Sequence, residues 1–169
     1  LFGQYPSQSF RVFPSVITQS EPVISISKTD TNLIFISAVT INTATAFKSE
    51  GVYVSTNGGI TWFGTDTYKG ANIQNHGGDP GTVITPAGRL ILTHNGLVFP
   101  GLYSHYSDDL GKTWSSAFTI SPLTVEDKST SIIDDEPLSP YYGRLYAVFV
   151  NMIQPYPVLI ATSTNSGSS

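Results

Sequence analysis

Two sets of residues in this sequence carry the chemistry from which a site can be built. His76, Asp79 and His94 lie close together in the chain. An imidazole beside a carboxylate moves protons near neutral pH or holds a metal ion. The second set is an acid followed by proline: Glu21-Pro22, Asp79-Pro80 and Glu136-Pro137, spaced 58 and 57 residues apart. At the head of a strand such a carboxylate serves as a general acid or accepts hydrogen bonds from a ligand. It can equally cap backbone N–H groups, with the proline fixing the entry of the chain. Recurrence favours that structural role, because an active site breaks the symmetry of a repeat. Glu21, His76, Asp79, His94 and Glu136 are therefore the ligand-binding candidates, and Asp79 is also a candidate catalytic acid. His105, inside an apolar strand, is expected to be packed. Asp134-Asp135-Glu136, with Glu126-Asp127 nearby, offers oxygen ligands but no calcium-loop spacing, so a solvated loop is expected. Neither a metal nor a cofactor is expected from the sequence.

The elements that position these residues follow from internal repetition. Ser55-Thr56-Asn57-Gly58-Gly59-Ile60-Thr61-Trp62 aligns with Ser107-Asp108-Asp109-Leu110-Gly111-Lys112-Thr113-Trp114 and with Ser163-Thr164-Asn165-Ser166-Gly167-Ser168-Ser169, the starts being 52 and 56 residues apart. Each unit reads as short alternating strands separated by Gly, Asn, Asp and Pro turns. In the first unit the strands are 23–27, 33–41, 51–55 and 61–63. In the second they are 82–85, 89–94, 102–107 and 113–120. In the third they are 138–141, 144–151 and 157–164. No amphipathic helix fits. Four-stranded antiparallel units at this period predict an all-β chain, with the units as β-propeller blades. The boundaries are a lead-in over 1–19, blades over 20–75 and 76–133, and an incomplete blade over 134–169. Closed propellers have about four to eight blades, so about three blades form a partial ring. Further sequence or another chain is expected to complete it, with a Trp expected to follow Ser169.

Composition sets limits on partners. Apolar residues make up 40% of the 169 residues and aromatics 12%, which suffices for a core. Charged residues are only 12%, and the net charge is −4 with a pI near 5.1. The eight Lys and Arg are scattered, so nothing is positioned to neutralise phosphates and nucleic acid is not an expected partner. The apolar run 33–41 is too short to span a bilayer. Without cysteine there is neither a disulfide framework nor a thiolate site. Low charge with abundant Ser and Thr fits a secreted or cell-surface protein.

The pattern S-x-D-x-G-x-T-W resembles the Asp box, or bacterial neuraminidase repeat, of sialidase-like propellers. Ser107, Asp109, Gly111, Thr113 and Trp114 match every position. Ser55, Asn57, Gly59, Thr61 and Trp62 carry Asn for Asp, and Ser163, Asn165 and Gly167 do the same before the chain ends. The resemblance implies that these turns are structural and lie on the perimeter, away from the ligand end. It further implies a sugar carboxylate bound by three arginines, with an acid and a Tyr–Glu nucleophile pair. Arg11, in Phe10-Arg11-Val12-Phe13-Pro14, corresponds to the first of those arginines with one extra residue before the proline. Arg89 and Arg144 are expected at the wrong end, and the rest of the set belongs to later blades. The expected function is a binding or scaffold module for glycans or cell-surface proteins, with Phe99, Tyr103, Tyr106 and Tyr156 as candidate contact rings. The alternatives are the N-terminal half of a sialidase-like glycoside hydrolase and a segment of a larger surface assembly.

Overall fold

A computed structural model describes residues 9–70 and 75–168. Ser169, aligned with Thr61 and Thr113, lies outside the described residues, as do 1–8 of the lead-in and 71–74. The described residues contain no helix. Their strands are β1 (Thr18–Ile26), β2 (Ile34–Asn42), β3 (Phe47–Ser55), β4 (Phe63–Thr65), β5 (Gly78–Ile84), β6 (Leu90–Asn95), β7 (Leu102–Ser107), β8 (Phe118–Ser121), β9 (Glu126–Ile133), β10 (Leu145–Asn151) and β11 (Val158–Ser163). They form three antiparallel meanders, β1-β2-β3-β4, β5-β6-β7-β8 and β9-β10-β11. The chain is all-β.

Alternation places the cores. In β3, Val52 and Val54 face the second sheet together with Phe35 of β2, the register partner of Val54. Leu90 and Leu92 of β6 answer them, with Ile84 of β5. The odd residues of β5 and β6, Val83 and Ile91, point the other way and meet Leu145 of the third sheet. The middle sheet is thus buried on both faces, which explains why every residue of β6 is buried. Truncating Leu92 to Ala would cost about 2–5 kcal/mol on such a site. The first strands β1, β5 and β9 lie side by side, tied by Ser25 Oγ donating to the Thr82 carbonyl at 2.6 Å and Ser129 Oγ donating to the Asp79 carbonyl at 2.6 Å.

The three repeated turns share one hydrogen-bond pattern. Ser107 Oγ accepts the Gly111 N–H at 2.8 Å and donates to Asp109 Oδ1 at 2.8 Å. Asp109 in turn accepts the Thr113 N–H and hydroxyl. Ser55, Asn57, Gly59 and Thr61 repeat this set, except that Asn57 donates its amide to the Thr61 hydroxyl, and Ser163 meets Asn165 and Gly167 in the same way. Trp62 and Trp114 each donate the indole N–H to the carbonyl of the turn glycine, at 3.0 and 3.1 Å. Gly111 has φ of 82°, a left-handed conformation that a Cβ penalises. Trp114 folds back into the core beside Phe35 and Tyr68.

The third unit corrects the sequence reading. Residues 138–141 form turns, not a strand, and the first strand of the third sheet is β9, which begins at Glu126, within the span assigned to the second unit. Glu136-Pro137 therefore follows the first strand, whereas Glu21-Pro22 and Asp79-Pro80 lie inside theirs. The true third counterpart is Lys128-Ser129. Each first strand carries a register shift at this point, and Glu21, Asp79 and Lys128 share φ values of 51°, 50° and 54°. These are β-bulges that re-aim a side chain at the head of a strand.

Candidate functional site

The bulges bring Glu21, Asp79 and Lys128 to one cleft of about 320 Å³, shared with Pro22, Pro80 and Ser129. Asp79 is the centre of the arrangement. Its Oδ2 accepts the Lys128 N–H at 2.7 Å and the Asn95 amide at 2.9 Å, and its Oδ1 lies 3.4 Å from Lys128 Nζ. Partial burial pushes this carboxyl up, but the Lys128 N–H, a hydrogen bond from Asp127 and the Lys128 ammonium outweigh it and hold it below its ordinary value. Asp127 moves the opposite way, raised first by its hydrogen bond to Asp79 and then by burial. The Asp79 carboxylate also raises the Lys128 ammonium. Asp79 thus ties the second sheet to the third while lining the cleft.

The β6–β7 and β10–β11 loops leave their sheets at this same end. There Phe99 is 61% and Tyr156 51% exposed, with Leu97, Val98, Met152 and Ile153 exposed beside them in sequence. The other two candidate rings are engaged. Tyr103 stacks with His94 and donates to the Pro100 carbonyl, and Tyr106 lies under the Arg89 guanidinium at 4.0 Å.

A second cluster sits between the first and second sheets. The alternation that buries Val52 and Val54 also buries Glu50, at 0% exposure. Opposite it, the parity of Leu90 and Leu92 carries His94 inward, and His105 is the register partner of Leu92. His76, in the segment before β5, stacks on His94 with centroids 4.2 Å apart. His76, His94 and His105 are each 1% exposed, and Tyr68 closes over His76 and His105. Desolvation, reinforced by the neighbouring imidazoles, lowers His76 to about 2 and His94 to about 3, and burial lowers His105 as well. Burial, with Glu21 and Asp79 adding to it, raises Glu50 well above the ordinary carboxylate value.

No protein-family model and no curated protein matches this chain. Among solved structures it is similar to a protein of unknown function from Dyadobacter fermentans DSM 18053. The two are 13% identical with a TM-score of 0.57, over 80% of this chain and 36% of that one. That likeness concerns the fold alone.

The sequence candidates divide accordingly. His76 and His94 come together, but Asp79 is not their partner. Glu50, which the sequence reading passed over, takes that place. Its signal was available, as a charged residue in phase with Val52 and Val54 on an apolar strand. Glu21 and Asp79 share a cleft, whereas Glu136 belongs to the opposite end, where Lys28 of the β1–β2 turn lies 3.6 Å from it and 2.9 Å from Asp135. Arg89 is also at that end, paired with Asp108 at 2.7 Å and donating to the Ser166 carbonyl, and Arg144 stacks over Tyr141. Arg11 turns back on its own segment, donating to Gln19 Oε1 and the Ile17 carbonyl. No described helix is long and apolar enough to cross a membrane.

Proposed function

We propose that this chain is a segment of an extracellular or cell-surface β-propeller of the sialidase-like Asp-box kind, and that it binds a glycan or a protein partner and scaffolds its neighbours rather than catalysing. The three sheets are its blades, with β1, β5 and β9 innermost and the repeated turns on the perimeter. Their common turn geometry and the parallel placement of the first strands support this reading. The chain corresponds to 36% of the solved structure it resembles.

One observation carries the functional half of the proposal. The candidate acid, Asp79, is occupied by two well-formed hydrogen bonds, one from Asn95 of its own sheet and one from Lys128 of the third, while the loops of the same end present exposed aromatic rings, Phe99 and Tyr156. A carboxylate so engaged, and held in its charged form, is poorly placed to protonate a leaving group. Exposed rings beside polar groups suit stacking on the apolar faces of sugars. A glycan array with the wild-type chain and the Phe99→Ala and Tyr156→Ala variants tests this. Each truncation is expected to weaken glycan binding about tenfold, from the stacking energy of one ring. Hydrolysis of a fluorogenic sialoside by this chain or a longer form containing it would overturn the reading in favour of a glycosidase.

A further inference from the structure

The buried polar cluster has a proton deficit. His94 Nδ1 lies 2.9 Å from the Asn95 carbonyl, and His105 Nδ1 lies 3.1 Å from the Ser115 carbonyl. Carbonyl oxygens only accept, so each Nδ1 carries its ring's N–H. The two Nε2 atoms nevertheless face each other at 3.0 Å. A neutral imidazole has one N–H, so three contacts share two protons and two lone pairs point at one another. A cation between them removes the conflict. The counter-charge is at hand in Glu50, whose two carboxylate oxygens are buried without a hydrogen-bond partner among the described residues. His76 is equally bare at both ring nitrogens.

We propose that Glu50, His76, His94 and His105 form a closed, buried binding site for Zn²⁺ that clips the first sheet to the second. An added proton would reconcile His94 with His105 but leave both Glu50 oxygens and both His76 nitrogens unpaired. A divalent ion would engage Glu50, His76 and His94 together, and His105 enters through its Nε2, 3.0 Å from that of His94. One ligand atom each from Glu50, His76 and His94 lies within 4.8 Å of the others, with Glu50 Oε1 3.9 Å from His76 Nδ1. Ligand atoms around a tetrahedral zinc sit about 3.3 Å apart, so binding would require Glu50 to close in slightly and the His76 ring to turn off its stack on His94. Imidazole and carboxylate donors suit zinc, and four protein ligands make a structural rather than a catalytic centre. The Asn95 and Ser115 carbonyls already hold the Nδ1–H groups of two ligands, the outer-sphere arrangement that orients a metal-bound histidine. The ligands come from β3, the segment before β5, β6 and β7, so the ion links the first sheet to the second.

The test uses the chain with a histidine-free tag, purified without chelators. One equivalent of zinc per chain is expected by plasma mass spectrometry after gel filtration. Co²⁺ added to metal-stripped protein should give intense visible bands of tetrahedral cobalt that saturate at one equivalent. Glu50→Gln and His94→Ala should each weaken Zn²⁺ binding about tenfold or more, and a chelator should lower Tm in the wild type but not in these variants. The cobalt titration of the wild-type chain stands even if a variant fails to fold. Protein that holds no stoichiometric zinc and gives no tetrahedral cobalt spectrum would overturn the proposal, leaving a proton shared by His94 and His105 as the missing charge. Undiminished zinc binding by both variants would overturn the assignment of these ligands.

Discussion

Asp109 and Asn57 hold the same place in two copies of one turn, and the difference between them is a charge. Asn57 and Asp109 both accept a backbone N–H four residues on, from Thr61 and Thr113 respectively. Asp109 also accepts the Thr113 hydroxyl, whereas Asn57 uses its amide to donate to the Thr61 hydroxyl. The hydroxyl and N–H of Thr113, with Ser107, lower the Asp109 carboxyl to about 2. Its unfolded value is about 3.9. A depressed carboxyl stabilises fully above the unfolded value, and that contribution disappears as pH falls through about 4 toward about 2. Urea midpoints of the wild type and Asp109→Asn should therefore converge over that window and differ by a constant amount above it. The turn itself survives the substitution, since Asn57 and Asn165 already occupy equivalent positions. These turns were legible in the sequence because their hydrogen bonds are local, within four residues, and so leave a fixed spacing behind. The grouping around Glu50 leaves no such trace. Its neighbours His76, His94 and His105 belong to other strands and segments, and only the register of two sheets brings them together.

At the scale of elements, the bulge is the recurring device. It places a left-handed residue near the head of each first strand, and in the second and third sheets Asp79 and Lys128 use it to reach each other. Asp79→Ala removes an ionised acceptor from two N–H donors. It is expected to destabilise the fold by about 2–3 kcal/mol, with Asp79→Asn losing less because one acceptor remains. Guanidinium denaturation of the two variants measures both. An unchanged midpoint in Asp79→Ala would mean that the Asp79 carboxylate adds nothing to the joining of β5 and β9. The bulge was half visible in the sequence. Acid–proline marks it in β1 and β5, but β9 carries Lys128-Ser129 instead, and the unrelated Glu136-Pro137 stands near the expected interval. A positive φ and a slipped register need no particular residue type, so the third bulge shows itself only in the paired strands. Glu136-Pro137 stands eight residues after Lys128-Ser129, and the third sheet correspondingly begins eight residues ahead of the expected boundary at 134.

For the whole molecule, the governing fact is a stack of three sheets in which the middle one is buried on both faces. The outer face of the third sheet presents Ile132, Val158 and Ile160 to solvent, and β1 of the first sheet presents Ile24 and Ile26. Apolar sheet faces of this kind, with β11 as an edge strand, favour association. Sedimentation of the isolated chain should show concentration-dependent self-association that the double substitution Val158→Lys and Ile160→Lys reduces. A wild-type chain that stays monomeric at high concentration would contradict this expectation. The order of the meanders bears on how the molecule comes into being. Every ladder pairs strands adjacent in sequence, so contact order is low within a sheet and rises only where successive sheets meet. A nascent chain that has emerged through Thr65 has all four strands of the first sheet, yet Val52 and Val54 still lack a cover. Once Ser121 has emerged, Leu90 and Leu92 can close over them. Folding can thus advance in the direction of synthesis, each new sheet sealing the one before it and leaving a fresh apolar face for the next.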